Sequence, residues 1–276
     1  KEKSFPAIPS SAGHAILMPS VRFDDNSRSI IGGLVGIANE ETVVLIADNS
    51  EDIEKKRFLE QIRAINPNIL AVHHEKNIGS QENFDYLFDW SEGVEFTALM
   101  ADDDWISPDY HVSAFRYLEK MPHLTGAAVG NSIIMQGSPR ERTVDGSQPQ
   151  MVGETPIERM RKWSGVTSRV TMYNASRRSA LVNAVQFIQS TPILGITLLE
   201  DLWEINRLAL GSFVTMPGSG FLVHNPTPTS SWEDIYARLH GDSDLPFSYI
   251  YFSALGTAIL LGMFLRGTLS PLDSKL

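Results

Sequence analysis

Apolar and polar stretches alternate in short blocks along the first half of the chain. Residues 15–18 are an apolar run closed by Pro19, which predicts a buried strand. The polar stretch 22–28 predicts a loop, and the Ile-, Leu- and Gly-rich stretch 29–38 a helix. Residues 42–47 (TVVLIA) form a β-branched run stopped by Asp48, Asn49 and Ser50, a second strand. Ile53, Phe58, Ile62 and Ile65 recur at helical spacing in an otherwise polar segment, which predicts a helix over 53–65 ended by Asn66, Pro67 and Asn68. A strand at 69–73, a helix at 81–90 and a strand at 96–100 follow. The last runs directly into Asp102, Asp103 and Asp104.

Strands separated by helices of this size indicate βαβ units, hence an α/β chain with a Rossmann-like, mostly parallel central sheet flanked by helices. Ligands of such sheets sit beyond the carboxyl ends of the strands. Asp48 and the Asp102–Asp104 run both fall at that edge. The second half is less regular. It predicts strands at 126–135, 171–175, 212–216 and 220–223, and helices at 156–163, 177–189 and 200–210. The polar, turn-rich stretch 136–153 predicts a loop. Residues 247–265 are uncharged and largely apolar, but carry Ser, Thr, Gly and two tyrosines. A buried or surface-docked terminal helix is favoured there over a membrane span.

Composition narrows the function. With 276 residues, 42% hydrophobic and 20% charged, the chain can bury a full core without staples. A net charge of −10 disfavours nucleic acid as a partner, because phosphates demand a basic face. A nucleotide remains admissible, since one bound divalent cation reverses the local field. Absence of cysteine excludes disulfides and thiolate metal sites. Residues 1–13 are polar and broken by proline, without a signal-peptide pattern.

The acidic run is the main candidate for chemistry. Adjacent carboxylates repel one another, and a divalent cation relieves that cost. Magnesium and manganese prefer oxygen ligands and leave positions for substrate phosphates. An acidic surface turn would show the same spacing.

The stretch 96–110, an apolar strand entering Asp102-Asp103-Asp104 with Pro108 beyond, resembles the metal-binding segment of family 2 glycosyltransferases. Asn77-Ile-Gly-Ser-Gln-Glu-Asn83 resembles the Asn-x-Gly-x-x-x-Asn segment that precedes it in that family. Residues 43–50 resemble its strand ending in an Asp that reads the donor base, and 16–20 its first strand with the Pro19-Ser20 end. Further on, Leu198-Leu-Glu-Asp-Leu-Trp203 resembles the family's Glu-Asp motif. Residues 221–225 resemble the late strand from which some members offer a His. Two departures stand out. Val21-Arg22 follow Ser20 where the family has Tyr-Asn or similar, and Ala101 occupies what is often the first acidic slot.

The resemblance implies a single GT-A domain: a nucleotide-sugar-binding half (1–125), an acceptor half (126–246) and a C-terminal helix and tail (247–276). It implies metal-dependent transfer of a sugar from a nucleoside-diphosphate sugar to a hydroxyl, with inversion. Pro19, Ser20, Asp48, Asn77, Asn83 and Asp102 would bind the donor. Asp103, Asp104 and His224 would hold Mn²⁺ or Mg²⁺, and Asp201 with Glu200 would supply the base. Arg22, Arg169, Arg177 and Arg178 are candidate partners for the diphosphate. Asp48, accepting from a base N–H, favours a UDP-sugar. Each residue also has an ordinary reading: a turn or cap for Asp48, an acidic helix start for Glu200 and Asp201, a buried imidazole for His224. The acceptor is a glycan, a lipid-linked or a small molecule. The expected location is cytoplasmic, with peripheral membrane contact open to 247–265. A nucleotidyltransferase is the enzymatic rival, but residues 16–25 lack the glycine its phosphate loop needs. A non-catalytic nucleotide-sugar-binding domain is the third reading.

Overall fold

The computed structural model describes residues 5–107, 109–135, 141–143, 150, 152–156, 158–159, 174–189, 207 and 210–224. Strand β1 (His14–Ser20) leads to helix α1 (Asp25–Gly33) and a 3₁₀ turn (Leu34–Gly36). Strand β2 (Thr42–Asp48) leads to helix α2 (Ile53–Ile65), strand β3 (Ile69–His73) to helix α3 (Ser80–Trp90), and strand β4 (Phe96–Leu99) completes the series. All pairings among these four strands are parallel, with Ser20 opposite Asp48 and Leu17 opposite Leu99. Their carboxyl ends therefore share one edge. Helix α2 has the predicted bounds and is capped by the Asp52 carboxylate. Helix α1 starts at Asp25 rather than 29. Asp24 and Ser27 form a reciprocal capping box, a polar signal that apolar periodicity overlooks.

β1 and β2 are buried along nearly their whole length, which is why they read as continuous apolar runs rather than alternating ones. Ile30, Ile31, Leu59 and Ile62 cover one face of the sheet. Leu87, Phe88 and Trp90 of α3 cover the other.

Two elements lie where the pattern named none: strand β5 (Trp105–Ile106) and helix α4 (Asp109–Lys120). Helix α4 turns Tyr110, Ala114 and Leu118, each four residues apart, into the core. Strands β6 (Leu124–Met135), β7 (Glu141–Thr143) and β8 (Ala175–Arg177), helix α5 (Arg178–Gln189) and strand β9 (Ser212–His224) follow. The order is β3-β2-β1-β4-β8-β6-β9-β5, with β7 on β6. The second half is mixed, with β4–β8, β6–β8 and β5–β9 antiparallel and β6–β9 parallel. Strand β7 corrects the expectation of an unbroken loop over 136–153. The two short strands expected at 212–216 and 220–223 are one strand whose register against β6 jumps between Gly130↔Pro217 and Ser132↔Phe221. Pro217 has no N–H to give the ladder, so the pairing breaks and resumes beyond it. The helices expected at 156–163 and 200–210 lie largely outside the described residues, and the stretch 247–265 wholly so. No helix among the described residues is long and apolar enough to cross a membrane.

The Phe213 ring on β9 lies so close over Gly126 on β6 that a Cβ there would run into it. The Arg207 guanidinium, 5.2 Å from that ring's centroid, limits its escape. Gly126→Ala should therefore lower unfolding free energy by about 1–3 kcal/mol, the usual cost of overpacking. A urea midpoint equal to wild type would disprove the close approach.

Candidate active site

The carboxyl edge of the parallel strands gathers side chains from three strand ends. Ser20 ends β1, Asp48 ends β2, and Asp102 follows β4. One oxygen of Asp102 accepts three hydrogen bonds, each 2.8 Å, from the Ser20 hydroxyl and the Val21 and Arg22 backbone N–H groups. Successive N–H groups closing on one carboxylate oxygen form a small anion nest. Asp102 is thereby committed to holding the turn after β1. The Arg22 guanidinium reaches the Asp103 carboxylate at 3.1 Å, and the Asn26 amide donates to the Asp103 carbonyl at 3.1 Å. Asp104 is buried.

Burial, and then the neighbouring Asp104 carboxylate, push the Asp103 carboxyl above its ordinary pKa, against the pull of Arg22. A carboxylate that is costly to ionise, yet still 19% exposed, suits a divalent cation, whose charge removes that cost. Among the described residues no group of three or more His, Asp or Glu is arranged to hold a metal. A cation bound mainly through phosphates and water needs only one or two protein carboxylates, and Asp103 is the partly open one of the three. Immediately after Asp104, β5 pairs antiparallel with β9, Trp105 opposite Val223. His224 is the next position along β9, so the backbone carries it toward Asp104.

Beside this acidic turn lies a cavity of about 190 Å³. Pro19, Ser20 and Val21 form its wall on the β1 side, and Ser80, Asn83 and Phe84 its wall on α3, with Asn49 and Asn77 between. Its size suits a planar ring rather than a whole nucleotide sugar. The Asn77 side chain accepts from the Gly79 N–H and from Asn49, whose own oxygen accepts from Ile78 N–H. These bonds fold residues 77–79 over the end of β2. Gly79, at φ +86°, makes the turn into α3 that a side chain would strain. Asn83 donates to the Ala47 carbonyl and meets His74 through its oxygen.

Several expectations change. Asp48 is fully buried: one carboxylate oxygen meets Lys55 Nζ at 3.0 Å and Ser50 N–H at 3.1 Å, the other His73 Nδ1 at 2.7 Å. The carboxylate expected to read the base is thus enclosed by protein partners, with no exposed surface. Arg177 and Arg178 are corrected as diphosphate partners. Arg177 pairs across from Phe96, at the amino end of β4, and binds Glu95 and the Leu124 carbonyl. Arg178 binds the Phe88 carbonyl and Ser91. Both face the opposite edge of the sheet from Asp102. Arg169, Glu200 and Asp201 lie outside the described residues. Asn49, Phe84 and Lys55 join the site without having been singled out. Lys55 carried a readable signal: it falls on the buried stripe of α2 with Leu59 and Ile62, a poor place for an unpartnered cation.

No protein-family model matches the sequence, and no curated protein matches it. Solved structures do. A crystal structure of S. aureus TarS 1–349 in complex with UDP-GlcNAc superposes with a TM-score of 0.57 at 15% identity, over 91% of this chain and 72% of that one. Its complex with UDP gives 0.53 at 15% identity with the same coverage. The chain has the GT-A fold. A longer TarS chain gives a TM-score of 0.55 at 14% identity, and this chain spans 43% of its length while 91% of this chain is covered. The GT-A fold accounts for the parallel first half.

Proposed function

We propose that this chain is a glycosyltransferase that moves a sugar from a nucleoside-diphosphate sugar, with UDP as the favoured carrier, onto a hydroxyl of a glycan, lipid-linked or small-molecule acceptor. One observation carries the reading. The ring-sized cavity between β1 and α3 is a single hydrogen bond, Ser20 to Asp102, away from the acidic turn, whose Asp103 carboxylate is partly open. In this reading a base in the cavity would direct its diphosphate toward Asp103. The TarS complexes with UDP-GlcNAc and UDP support the same donor class.

In this reading Pro19, Ser20, Asn77 and Asn83 frame the base, with Phe84 as an aromatic wall. Asp102 keeps the turn after β1 in register. Asp103 and Asp104 would hold Mn²⁺ or Mg²⁺, with His224 arriving from β9. Bound there, the cation neutralises negative charge on the departing diphosphate. Arg22 contributes a second positive charge at the same carboxylate. The acceptor hydroxyl gives its proton to Asp201, with Glu200 beside it, and attack from the face opposite the leaving group inverts the anomeric centre.

UDP with Mn²⁺ should raise Tm well beyond UDP alone, and Mn²⁺ alone should leave it unchanged. At about 100 times Kd the pair stabilises by about 2.7 kcal/mol, roughly 5 °C or more for a domain of this size. Thermal denaturation with a panel of nucleotides decides the point. No shift with any nucleotide, with or without the metal, overturns the reading.

A further inference from the structure

A lysine ammonium withdrawn from water must find anionic or hydroxyl partners, because its solvation is otherwise lost. Lys55 is fully buried on α2. Its Nζ lies 2.7 Å from Ser20 Oγ, 3.0 Å from Asp48 Oδ1 and 3.8 Å from Asp102 Oδ2. These partners come from β1, β2 and the turn after β4. The Ser20 hydroxyl accepts from Lys55 and donates to Asp102, so its single proton has one destination. His73 closes the far side of Asp48. One ammonium thus ties Ser20 and Asp48, at the paired ends of β1 and β2, to Asp102 in the turn beyond the last rung of β4, just where the candidate site begins.

We infer that Lys55 is a positioning residue: it locks the ends of β1, β2 and β4 so that the cavity wall at Ser20–Val21 and the carboxylate of Asp103 share one geometry, and Asp48 serves this lock rather than the nucleotide base. The inference rests on the reading that the cavity holds a nucleotide. Asp102 keeps its three remaining donors without Lys55, whereas Asp48 loses its main counter-charge. The two buried ions are therefore a pair, and removing both is less disruptive than removing either.

The test uses Lys55→Met, Asp48→Asn and the double variant. Urea unfolding is measured for each, and UDP affinity in saturating Mn²⁺ by calorimetry well below every Tm, where a merely structural residue leaves affinity unchanged. Each single variant should lose stability and bind UDP about tenfold more weakly, in the range found for groups that act through a ligand-binding neighbour. The double variant should recover most of both. Wild-type affinity in folded Lys55→Met overturns the inference. So does an Asp48→Asn variant of unchanged stability whose lost UDP affinity the double variant fails to restore, since Asp48 would then touch the base. If Lys55→Met does not fold, a double variant that folds and binds UDP supports the lock, and one that stays unfolded ends it. A wild-type protein that binds no UDP sinks the proposed function instead. The urea cycle, which needs no ligand, then decides the lock: additive losses end it, and recovery in the double variant upholds it.

Discussion

Asp103→Asn is expected to bind UDP no more tightly with Mn²⁺ than without it, and to lose about three orders of magnitude in turnover. Of the three adjacent acids, Asp102 is spent on Ser20, Val21 and Arg22, and Asp104 is 1% exposed. Asp103 alone of the three presents a partly open carboxylate, and burial and Asp104 already penalise its charge. An amide keeps the shape and removes the anion, so the cation loses its principal protein ligand. Charge stabilisation worth several kcal/mol at the leaving group corresponds to about a thousandfold or more in rate. Calorimetric titration of UDP with and without Mn²⁺ separates this loss from misfolding, because metal-independent binding should persist. An Asp103→Asn protein that retains its Mn²⁺-dependent gain in UDP affinity would move the cation elsewhere. Asp104→Asn is the next variant to measure.

The second large effect concerns Asp201. Asp201→Asn should lower turnover by about 10²- to 10⁴-fold, the range for loss of a general base, while UDP affinity stays at the wild-type value. The residues carrying this are Glu200 and Asp201 at the start of the stretch 200–210. Arg207, later in the same stretch, donates to the Ser176 hydroxyl on β8 at 2.8 Å, with both residues buried. That bond seats Arg207 on the strand that pairs with β4, the strand leading into the acidic turn. Glu200→Gln, as the neighbouring control, should cost less than Asp201→Asn. Steady-state kinetics with one UDP-sugar, together with calorimetry, decide the roles. Full activity in Asp201→Asn transfers the base to another residue.

The chain's local patterns determined much of the first half. The β-branched run at 42–47, the amphipathic stretch at 53–65 and the apolar run at 69–73 became β2, α2 and β3 with little or no change of bounds. Strand period, helix period and cap residues act between near neighbours, so they are legible without knowing the fold. The Asp102–Asp104 run at a strand end was legible for the same reason. Tertiary structure decided who meets whom. No pattern shows that Asp102 closes on Ser20, or that β9 returns to pair with β5 and brings His224 toward Asp104. Nor does a pattern show that Lys55 turns Asp48 from a ligand candidate into a buried ion-pair partner. These contacts join residues far apart in sequence, and their energy depends on burial, which exists only once sheet and helices have packed. A side chain's chemistry is thus written in the sequence, while the partners that decide how it is used come from the packed structure.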